Sequence, residues 1–543
     1  MKTPNRLRPL GQPLLAALFG ALATLAFSPF SYWPFMLVAL WGLLLLLQAA
    51  SSPKRAAWIG FCWGLGQFTT GVSWVYVSID HFGGMPLIAG LFLMALLIVY
   101  LSLYPALFGG LIHKWPIKQP GIKWLILAPA LWLVVDWLRG WVFTGFPWLW
   151  PGYSQIDSPL AGIAPVLGVQ GITLVLVLIA GLATFVIPHW GQWPTRTRLI
   201  GMIAIMGLFA ISEGLGSVKW ATKTEQQQTV SLIQGNVPQA LKWRADQRWP
   251  TLMKYLDLTR QHWNSDVVIW PEAAIPALER DLPRFFSQLD QAGKHNQTTV
   301  ITGALDQRED GTYFNNVLAL GTQTPSYQYP APAQYSKHHL LPFGEFVPFE
   351  SLLRPLAPIF NLPMSSFSPG AAIQPALPAN GWEYITALCY EIAFPAQIRE
   401  NLTADSDAII TLSNDAWFGR SIGPWQHLEI ARMRALEFGL PVIRATNNGV
   451  TALVDERGEI QASLPQFETH VLTTQITKTQ GSRLIANGEM GCSGFGWLLV
   501  ASWVWLLGVV LLVNQKTLFV SKKARIKKAS FVTSLHFLLL PFT

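Results

Sequence analysis

Long apolar runs are the feature that most constrains the fold of this chain. Seven runs in the first two fifths of the sequence, and one near its end, have about the length and composition that a helix needs to cross a bilayer. Hydrophobic residues make up 51% of the chain and charged residues only 13%, well below the roughly 25% of soluble proteins. The sequence therefore predicts a polytopic α-helical membrane domain with eight crossings, at residues 11–28, 33–50, 57–78, 86–112, 122–142, 160–188, 198–215 and 494–514.

Lysine and arginine are distributed unevenly between the predicted loops. They lie before the first crossing and after the second, fourth, sixth and last, whereas alternate loops such as SPFSY and SIDHFGG contain none. Because translocation of positive charge is disfavoured, cytoplasmic loops retain these residues. Both termini are therefore predicted to be cytoplasmic. The net charge of +8 follows largely from this pattern and does not indicate nucleic-acid binding.

The segment 217–490 has a different composition and lies on the outer side in this topology. Short runs rich in Val, Ile and Thr, such as SDVVIWPE, YITALCYE and DAIITLSND, end in turn-forming or polar residues. They alternate with helical patterns such as PWQHLEIARMRALEF. The sequence thus predicts a membrane domain (1–216), an external α/β domain (217–490), a last crossing (491–515) and a basic cytoplasmic tail (516–543).

Cys389 is the one cysteine of the predicted external domain, so it has no disulfide partner there. It is either a buried apolar side chain or a nucleophile. Glu272 directly follows the apolar run VVIWP, and Lys337 lies in YSKHHLLPFGEFVPFE. Each also has an ordinary interpretation, as a solvated turn acid and as a surface lysine.

These three residues would complete one another chemically. A thiol attacks a carbonyl only as the thiolate, so it needs a base, for which Glu272 is suited, and a cation, for which Lys337 is suited. Lys337 and the backbone N–H after Cys389 would stabilise an oxyanion. The sequence contains no phosphate-binding glycine loop, zinc-spaced cluster or dinucleotide fingerprint, and we expect neither a metal nor a cofactor.

Five separated motifs carry a resemblance to a known family. WPE at 270–272, SKHHLLPFGEFVP at 336–348 and LCYE at 388–391 resemble the glutamate, lysine and cysteine motifs of the nitrilase superfamily. With FTGFPWLWPGYSQID (143–157), QGNVPQALKW (234–243) and the predicted crossings, the chain resembles the integral membrane branch, the apolipoprotein N-acyltransferase family. This resemblance implies that the external domain is a four-layer αββα sandwich.

The resemblance also implies roles for individual residues. Glu272 would be the general base, Lys337 the oxyanion-stabilising cation and Cys389 the acyl acceptor, with Glu345 supporting them. The residues expected to shape the acyl or lipoprotein pocket are Trp243, Tyr390, Glu391, Phe146 and Trp148. The last two lie in an aromatic loop, 140–153, that suits a membrane interface equally well without a substrate role.

The reaction implied by the resemblance explains the membrane domain. An acyl chain would pass from a phospholipid such as phosphatidylethanolamine to Cys389, and from that thioester to the N-terminal amine of a diacylglyceryl-cysteine on an apolipoprotein. The expected location is a bacterial inner membrane, with the catalytic domain in the periplasm. Two alternatives stay open: a membrane-anchored amidase or nitrilase with the same three residues, and a lipid-binding or transport protein without catalysis.

Two smaller expectations concern the membrane part and the site. Asp136 and Arg139 are three residues apart in the fifth predicted crossing and can pair on one helix face. A thioester must be protected from water, and the Pro-rich segment 353–380 is a candidate lid.

Overall fold

The computed structural model describes residues 11–83, 86–115, 117, 119–187, 195–321, 325–348 and 366–481. The predicted last crossing (494–514) and the basic tail (516–543) lie outside these residues, as does the greater part of the candidate lid.

The N-terminal part of the described chain is helical. Its helices are α1 (Gly11–Ala23), α2 (Pro34–Gln48), α3 (Pro53–Gly71), α4 (Val75–Gly83), α5 (Leu87–Lys114), α6 (Pro120–Arg139), α7 (Pro159–Val186) and α8 (Thr195–Gly216). Among the described residues, four helices are long and apolar enough to cross a membrane: α5, α6, α7 and Leu199–Gly216 of α8.

The prediction of eight crossings is therefore not confirmed. The runs predicted at 11–28 and 33–50 form apolar helices that are shorter than a full crossing, Gly11–Ala26 and α2. The run predicted at 57–78 is divided between α3 and α4. An apolar run reports the free energy of transfer into lipid, but it does not fix where a helix begins and ends.

The membrane helices pack closely where small residues meet. A Cβ on Gly60 of α3 would lie 2.1 Å from the Pro105 carbonyl oxygen of α5, so only glycine permits this approach. The predicted pairing of Asp136 with Arg139 is confirmed, at 3.0 Å and almost completely buried. The Arg139 guanidinium also donates to the carbonyl oxygens of Phe146 and Trp148. It thereby fixes the loop after α6, which carries aromatic residues toward the second part of the chain.

The second part contains two six-stranded sheets. The first has the order β12-β1-β2-β3-β4-β5 and the second β11-β10-β9-β8-β7-β6, and the strand triplets β1–β3 and β7–β9 run parallel. The strands are β1 (Ala221–Gln234), β2 (Val267–Ile269), β3 (Thr299–Gln307), β4 (Tyr313–Leu320), β5 (Gln334–Ser336), β6 (Leu377–Ala379), β7 (Trp382–Thr386), β8 (Ser406–Ser413), β9 (Val442–Thr446), β10 (Ala452–Val454), β11 (Ile460–Ser463) and β12 (His470–Gly481). The helices are α9 (Gln239–Lys242), α10 (Arg248–Arg260), α11 (Pro283–Asn296), α12 (Pro395–Asn401) and α13 (Gly423–Phe438).

Alternation along the strands produces the layers. Val267 and Ile269 of β2 pack into the core between the sheets, whereas Val268 packs on the opposite face against α10 and α11. On the second sheet, Ile410 faces the inner core and Ile409 faces α13. The order is helix, sheet, sheet, helix, as the resemblance implies.

The outer layer of the second sheet is continuous with the membrane helices. Ile409 belongs to the same buried apolar cluster as residues of α1, α2, α3, α5, α6 and α7. Polar contacts reinforce this junction: Glu437 of α13 accepts a hydrogen bond from Val169 N at 2.6 Å, and Glu429 accepts one from Ser28 N at 3.0 Å. The α/β part is therefore docked on the membrane part through α13.

Candidate active site

The three predicted chemical residues converge at one end of the two sheets. Glu272 follows β2, Lys337 follows β5 and Cys389 follows β7, so each is placed by the end of a strand. Lys337 Nζ lies 3.7 Å from Glu272 Oε1 and 2.8 Å from Glu345 Oε2. The side chain of Lys337 is 2% exposed, which makes this a buried cluster of two carboxylates and one ammonium.

Glu272 is held from several sides. Its Oε1 accepts from Asn315 Nδ2 at 3.0 Å and its Oε2 from Asn414 N at 3.0 Å. Burial raises the pKa of Glu272 above its ordinary value; Lys337 opposes this and the Glu345 carboxylate adds to it. A fixed carboxylate with a raised pKa is suited to accept and return a proton near neutral pH.

Lys337 is a cation because of its neighbours. Burial alone would lower its pKa, but the carboxylates of Glu345 and Glu272 raise it above the ordinary value. Glu345 is itself fixed by hydrogen bonds from Asn315 Nδ2 at 3.0 Å and Leu341 N at 2.8 Å. The ammonium is thus held in one place with its charge retained.

Cys389 begins a short 3-10 turn, Cys389–Ala393, in a left-handed backbone conformation with φ of 53°. Positive φ is unusual for a residue with a side chain and marks a position that its surroundings must enforce. Cys389 is half-buried as a residue, and its sulfur lies 3.4 Å from Ser413 Oγ. Burial and the Glu272 carboxylate raise the pKa of this thiol, against the opposing effect of Lys337. The resting group is therefore a thiol that needs a base during attack.

Glu391 connects the cysteine turn to the lysine segment. Its buried carboxylate accepts hydrogen bonds from Leu388 N at 2.7 Å, His338 N at 2.9 Å and His339 N at 2.9 Å. Tyr335 OH and Gln397 Nε2 donate to it as well, at 3.0 and 2.7 Å. These contacts position the segments that carry Lys337 and Cys389 relative to each other, and a direct role of Glu391 in the substrate pocket stays a prediction.

The aromatic loop after α6 reaches the cysteine turn. Tyr390 OH donates to Gly145 O at 3.0 Å, and the Trp148 ring stacks on the Tyr390 ring with 6.4 Å between centroids. The ring of Phe146 lies 6.5 Å from that of Trp148. Trp243, by contrast, follows α9 and is 39% exposed. A role in binding substrate stays a prediction for Phe146, Trp148, Trp243 and Tyr390.

Several residues that organise the site were not identified from the sequence. Asn315 bridges Glu272 and Glu345, the backbone of Asn414 binds Glu272, and Ser413 contacts the thiol. Lys242 is buried and donates to the Glu272 carbonyl oxygen at 3.2 Å. Polar residues directly after the apolar run of β8 were a usable signal for Asn414, whereas nothing local distinguishes Asn315.

Among the described residues, no group of three or more His, Cys, Asp or Glu side chains is arranged to hold a metal ion. A buried carboxylate, a buried ammonium and a free cysteine thiol are the elements of covalent catalysis on a carbonyl compound. Fold and site together define an α/β domain of the carbon-nitrogen hydrolase class joined to membrane helices, and residues 229–483 match the family model described as carbon-nitrogen hydrolase.

Comparison with known proteins identifies the branch of that class. Residues 19–182 match the apolipoprotein N-acyltransferase N-terminal domain. The chain is 57% identical over 475 residues to the apolipoprotein N-acyltransferase of Vibrio cholerae, covering 87% of this chain and 92% of that one. It is 43% identical over 482 residues to the apolipoprotein N-acyltransferase of Shewanella oneidensis, covering 87% and 91%. The chain belongs to the apolipoprotein N-acyltransferase family.

A weaker likeness exists among solved structures. The carbon-nitrogen hydrolase from Helicobacter pylori G27 matches 46% of this chain and 89% of its own, with 15% identity and a TM-score of 0.34. That overlap is too weak to carry an argument.

Proposed function

We propose that this protein transfers an acyl chain from a membrane phospholipid, through a thioester on Cys389, to the N-terminal α-amino group of a diacylglyceryl-cysteine on an apolipoprotein. Its family membership supports the acyltransferase activity, with a lipid donor and a lipoprotein acceptor. The observation that carries the proposed mechanism is the placement of Lys337 between Glu272 and Glu345, beside the Cys389 turn.

In the first half-reaction Glu272 takes the proton of the Cys389 thiol while Sγ bonds to the ester carbonyl carbon of the phospholipid. The oxyanion that forms is stabilised by the Lys337 ammonium and the Tyr390 backbone N–H. Its collapse breaks the bond between the carbonyl carbon and the glycerol oxygen, which takes the proton from Glu272. Lysophospholipid leaves, and the acyl chain stays on Cys389 as a thioester.

In the second half-reaction the acceptor amine attacks the thioester carbonyl and Glu272 takes a proton from the nitrogen. The same two donors stabilise the oxyanion, and its collapse breaks the carbon–sulfur bond. Glu272 returns the proton to sulfur, so the free thiol is restored and an amide has formed. The raised pKa of Glu272 suits a group that carries a proton in both directions.

Both substrates are lipids, which supports an opening of the site at the bilayer surface. The contact of Tyr390 with Gly145 ties the cysteine turn to the loop after α6, and Trp141 and Phe143 of that loop are 53% and 60% exposed. We place this surface on the periplasmic side of a bacterial inner membrane, with both termini cytoplasmic and phosphatidylethanolamine as the donor. The division into 1–216, 217–490, 491–515 and 516–543 belongs to the same proposal.

Intact-mass analysis of the purified chain with phosphatidylethanolamine tests this mechanism. We expect one acyl adduct that hydroxylamine removes, and transfer of that acyl group to a diacylated lipopeptide. Cys389→Ala should form no adduct, while Cys62→Ala, which removes the buried free thiol of α3, should behave as the wild type. Lipopeptide acylation by Cys389→Ala would refute the thioester. Release of free fatty acid or ammonia without use of the amine would support the hydrolase alternative instead.

A further inference from the structure

The N-terminal half of α13 contacts the cysteine turn through a histidine that the mechanism above does not use. His427 is completely buried, and its Nε2 lies 3.0 Å from the carbonyl oxygen of Cys389. A carbonyl oxygen only accepts hydrogen bonds, so Nε2 must carry the proton and donate it.

On the other side of the ring, Asp415 Oδ1 lies 3.3 Å from Nδ1, but the shorter contact of Nδ1 is with an arginine, which favours the same tautomer. Arg444 Nη2 lies 2.6 Å from Asp415 Oδ2 and 3.1 Å from His427 Nδ1, so its two hydrogens can serve both acceptors. Nδ1 then accepts a hydrogen bond and Nε2 keeps its proton. Burial, followed by the nearby Arg444 cation, lowers the pKa of His427 against the opposing effect of the Asp415 carboxylate, which keeps the ring neutral. The ion pair of Asp415 and Arg444 is completely buried, so the ring is held by a fixed partner.

The geometry of the peptide bond gives this contact a consequence for catalysis. The carbonyl of Cys389 and the N–H of Tyr390 belong to one planar trans unit, in which they point in opposite directions. A donor that binds the carbonyl oxygen therefore aims the N–H away from itself. The turn needs such a constraint, because the left-handed conformation of Cys389 is not one that a residue with a side chain adopts readily.

We propose that His427 is a positioning residue, which orients the Cys389–Tyr390 peptide so that its N–H faces the developing oxyanion. This inference rests on the proposed thioester mechanism. Ser413 belongs to the same network, because its hydroxyl contacts both Asp415 Oδ1 and the Cys389 sulfur. The network therefore fixes both the sulfur and the oxyanion donor relative to α13.

Two reactions of the same thiol separate positioning of the N–H from general integrity of the site. Thioester formation from phosphatidylethanolamine passes through an oxyanion. Alkylation by iodoacetamide forms a carbon–sulfur bond and releases iodide without any oxyanion. We expect His427→Leu to slow thioester formation by about tenfold or more and to change the alkylation rate by less than about threefold. His427→Gln, whose amide keeps a donor, should recover most of the acylation rate.

The matched control is His262→Leu, because that partly buried ring contacts the carbonyl of Leu258 and lies outside the site. Its acylation and alkylation rates should equal those of the wild type. If His427→Leu does not fold, His427→Asn replaces it, since its amide is one methylene shorter than that of His427→Gln. Slower acylation by His427→Asn than by His427→Gln, with an unchanged alkylation rate, supports the inference. Equal acylation rates of these two variants overturn it.

The outcomes distinguish this inference from the proposed function. A wild-type protein that forms no thioester would refute the function itself. A wild type that forms it, with His427→Leu acylated equally fast, would overturn only the role of His427. A parallel loss of acylation and alkylation in His427→Leu would also overturn that role, because it would show a general effect on the thiol.

Discussion

At the scale of single residues, the charge of Lys337 depends on Glu345. The contact of 2.8 Å between them is the shorter of the two carboxylate contacts of the ammonium, and Glu345 is the stronger of the two carboxylates that raise the pKa of Lys337. Burial acts in the opposite direction. A neutral residue at position 345 would therefore leave a buried lysine with one carboxylate.

We predict that Glu345→Gln slows thioester formation by about ten- to a hundredfold at neutral pH. Without this carboxylate the pKa of Lys337 falls. Both proteins lose activity as pH rises, and the variant should lose it at a lower pH than the wild type. Glu345 also raises the pKa of Glu272, so in the variant the acid limb of the pH profile should shift to lower pH as well. The check is the acylation rate against pH. Glu309→Gln, at an exposed position, is the control. A pH profile of Glu345→Gln that matches the wild type would contradict the dependence of Lys337 on Glu345.

The convergence of Glu272, Lys337 and Cys389 could be predicted, because each lies next to a strong local signal. Glu272 and Cys389 follow apolar runs that read as buried strands, and the motif around Lys337 carries the family resemblance. The presence of Asn315 and His427 at the site could not be predicted, because it depends on tertiary contacts. Asn315 reaches Glu272 only because β4 pairs antiparallel with β3, and His427 reaches Cys389 only because α13 packs on the second sheet.

At the scale of elements, the turn that carries Glu272 depends on a glycine in the neighbouring strand. A Cβ on Gly303 of β3 would lie 2.5 Å from Ala273 N and 2.8 Å from Glu272 Cα. Both atoms are backbone, and Ala273 already has φ of 45°, so neither side can yield without moving the Glu272 carboxylate.

We predict that Gly303→Ala destabilises the protein by about 1–3 kcal/mol and reduces thioester formation more strongly than this loss of stability explains. Gly207→Ala is the matched control, because a Cβ there meets nothing within 4 Å. Its melting temperature should be unchanged or slightly higher. Thermal unfolding in detergent and the acylation rate of the remaining folded protein provide the check. A Gly303→Ala variant as stable and active as the control would show that the turn can move freely.

Element boundaries were the least predictable part of the fold. The strand-rich composition of 217–490 indicated the α/β domain, but the eight crossings that hydropathy predicted are not confirmed, since the described residues contain four helices long and apolar enough to cross. The predicted run at 57–78 contains Ser73 at a break between α3 and α4, where the chain turns toward the catalytic part. Trp74, within the same break, donates to Gln426 of α13 at 3.0 Å. The contact between the two parts of the chain, rather than the local sequence, thus determines where these helices end.

At the scale of the whole molecule, α13 serves both parts at once. Its Gln426 accepts from the indoles of Trp74 and Trp148 and donates to Gly71 O, while the adjacent His427 binds the cysteine turn. Glu429, about one helical turn after Gln426, accepts a hydrogen bond from Ser28 N. Movement of the membrane part against α13 would therefore also displace the cysteine turn.

The buried Glu429 makes this junction sensitive to pH. Burial raises the pKa of Glu429 from 4.5 to about 8, with Ser28 N and Arg432 opposing the shift. Between these two values the unfolded chain releases a proton that the folded chain retains. The free energy of unfolding contributed by Glu429 therefore falls as pH rises from about 4.5 to about 8.

We predict that Glu429→Gln removes this dependence, because the amide oxygen still accepts from Ser28 N and carries no charge. The variant should melt at about the same temperature as the wild type at pH 5 and several degrees higher at pH 8. Melting temperatures of both proteins across this range, with exposed Glu459→Gln as the control, test the prediction. Parallel curves for the wild type and Glu429→Gln would mean that Glu429 is not the group that titrates at the junction. If instead the curves diverge, and thioester formation declines over the same range in the wild type but not in Glu429→Gln, α13 carries the state of the membrane junction to Cys389.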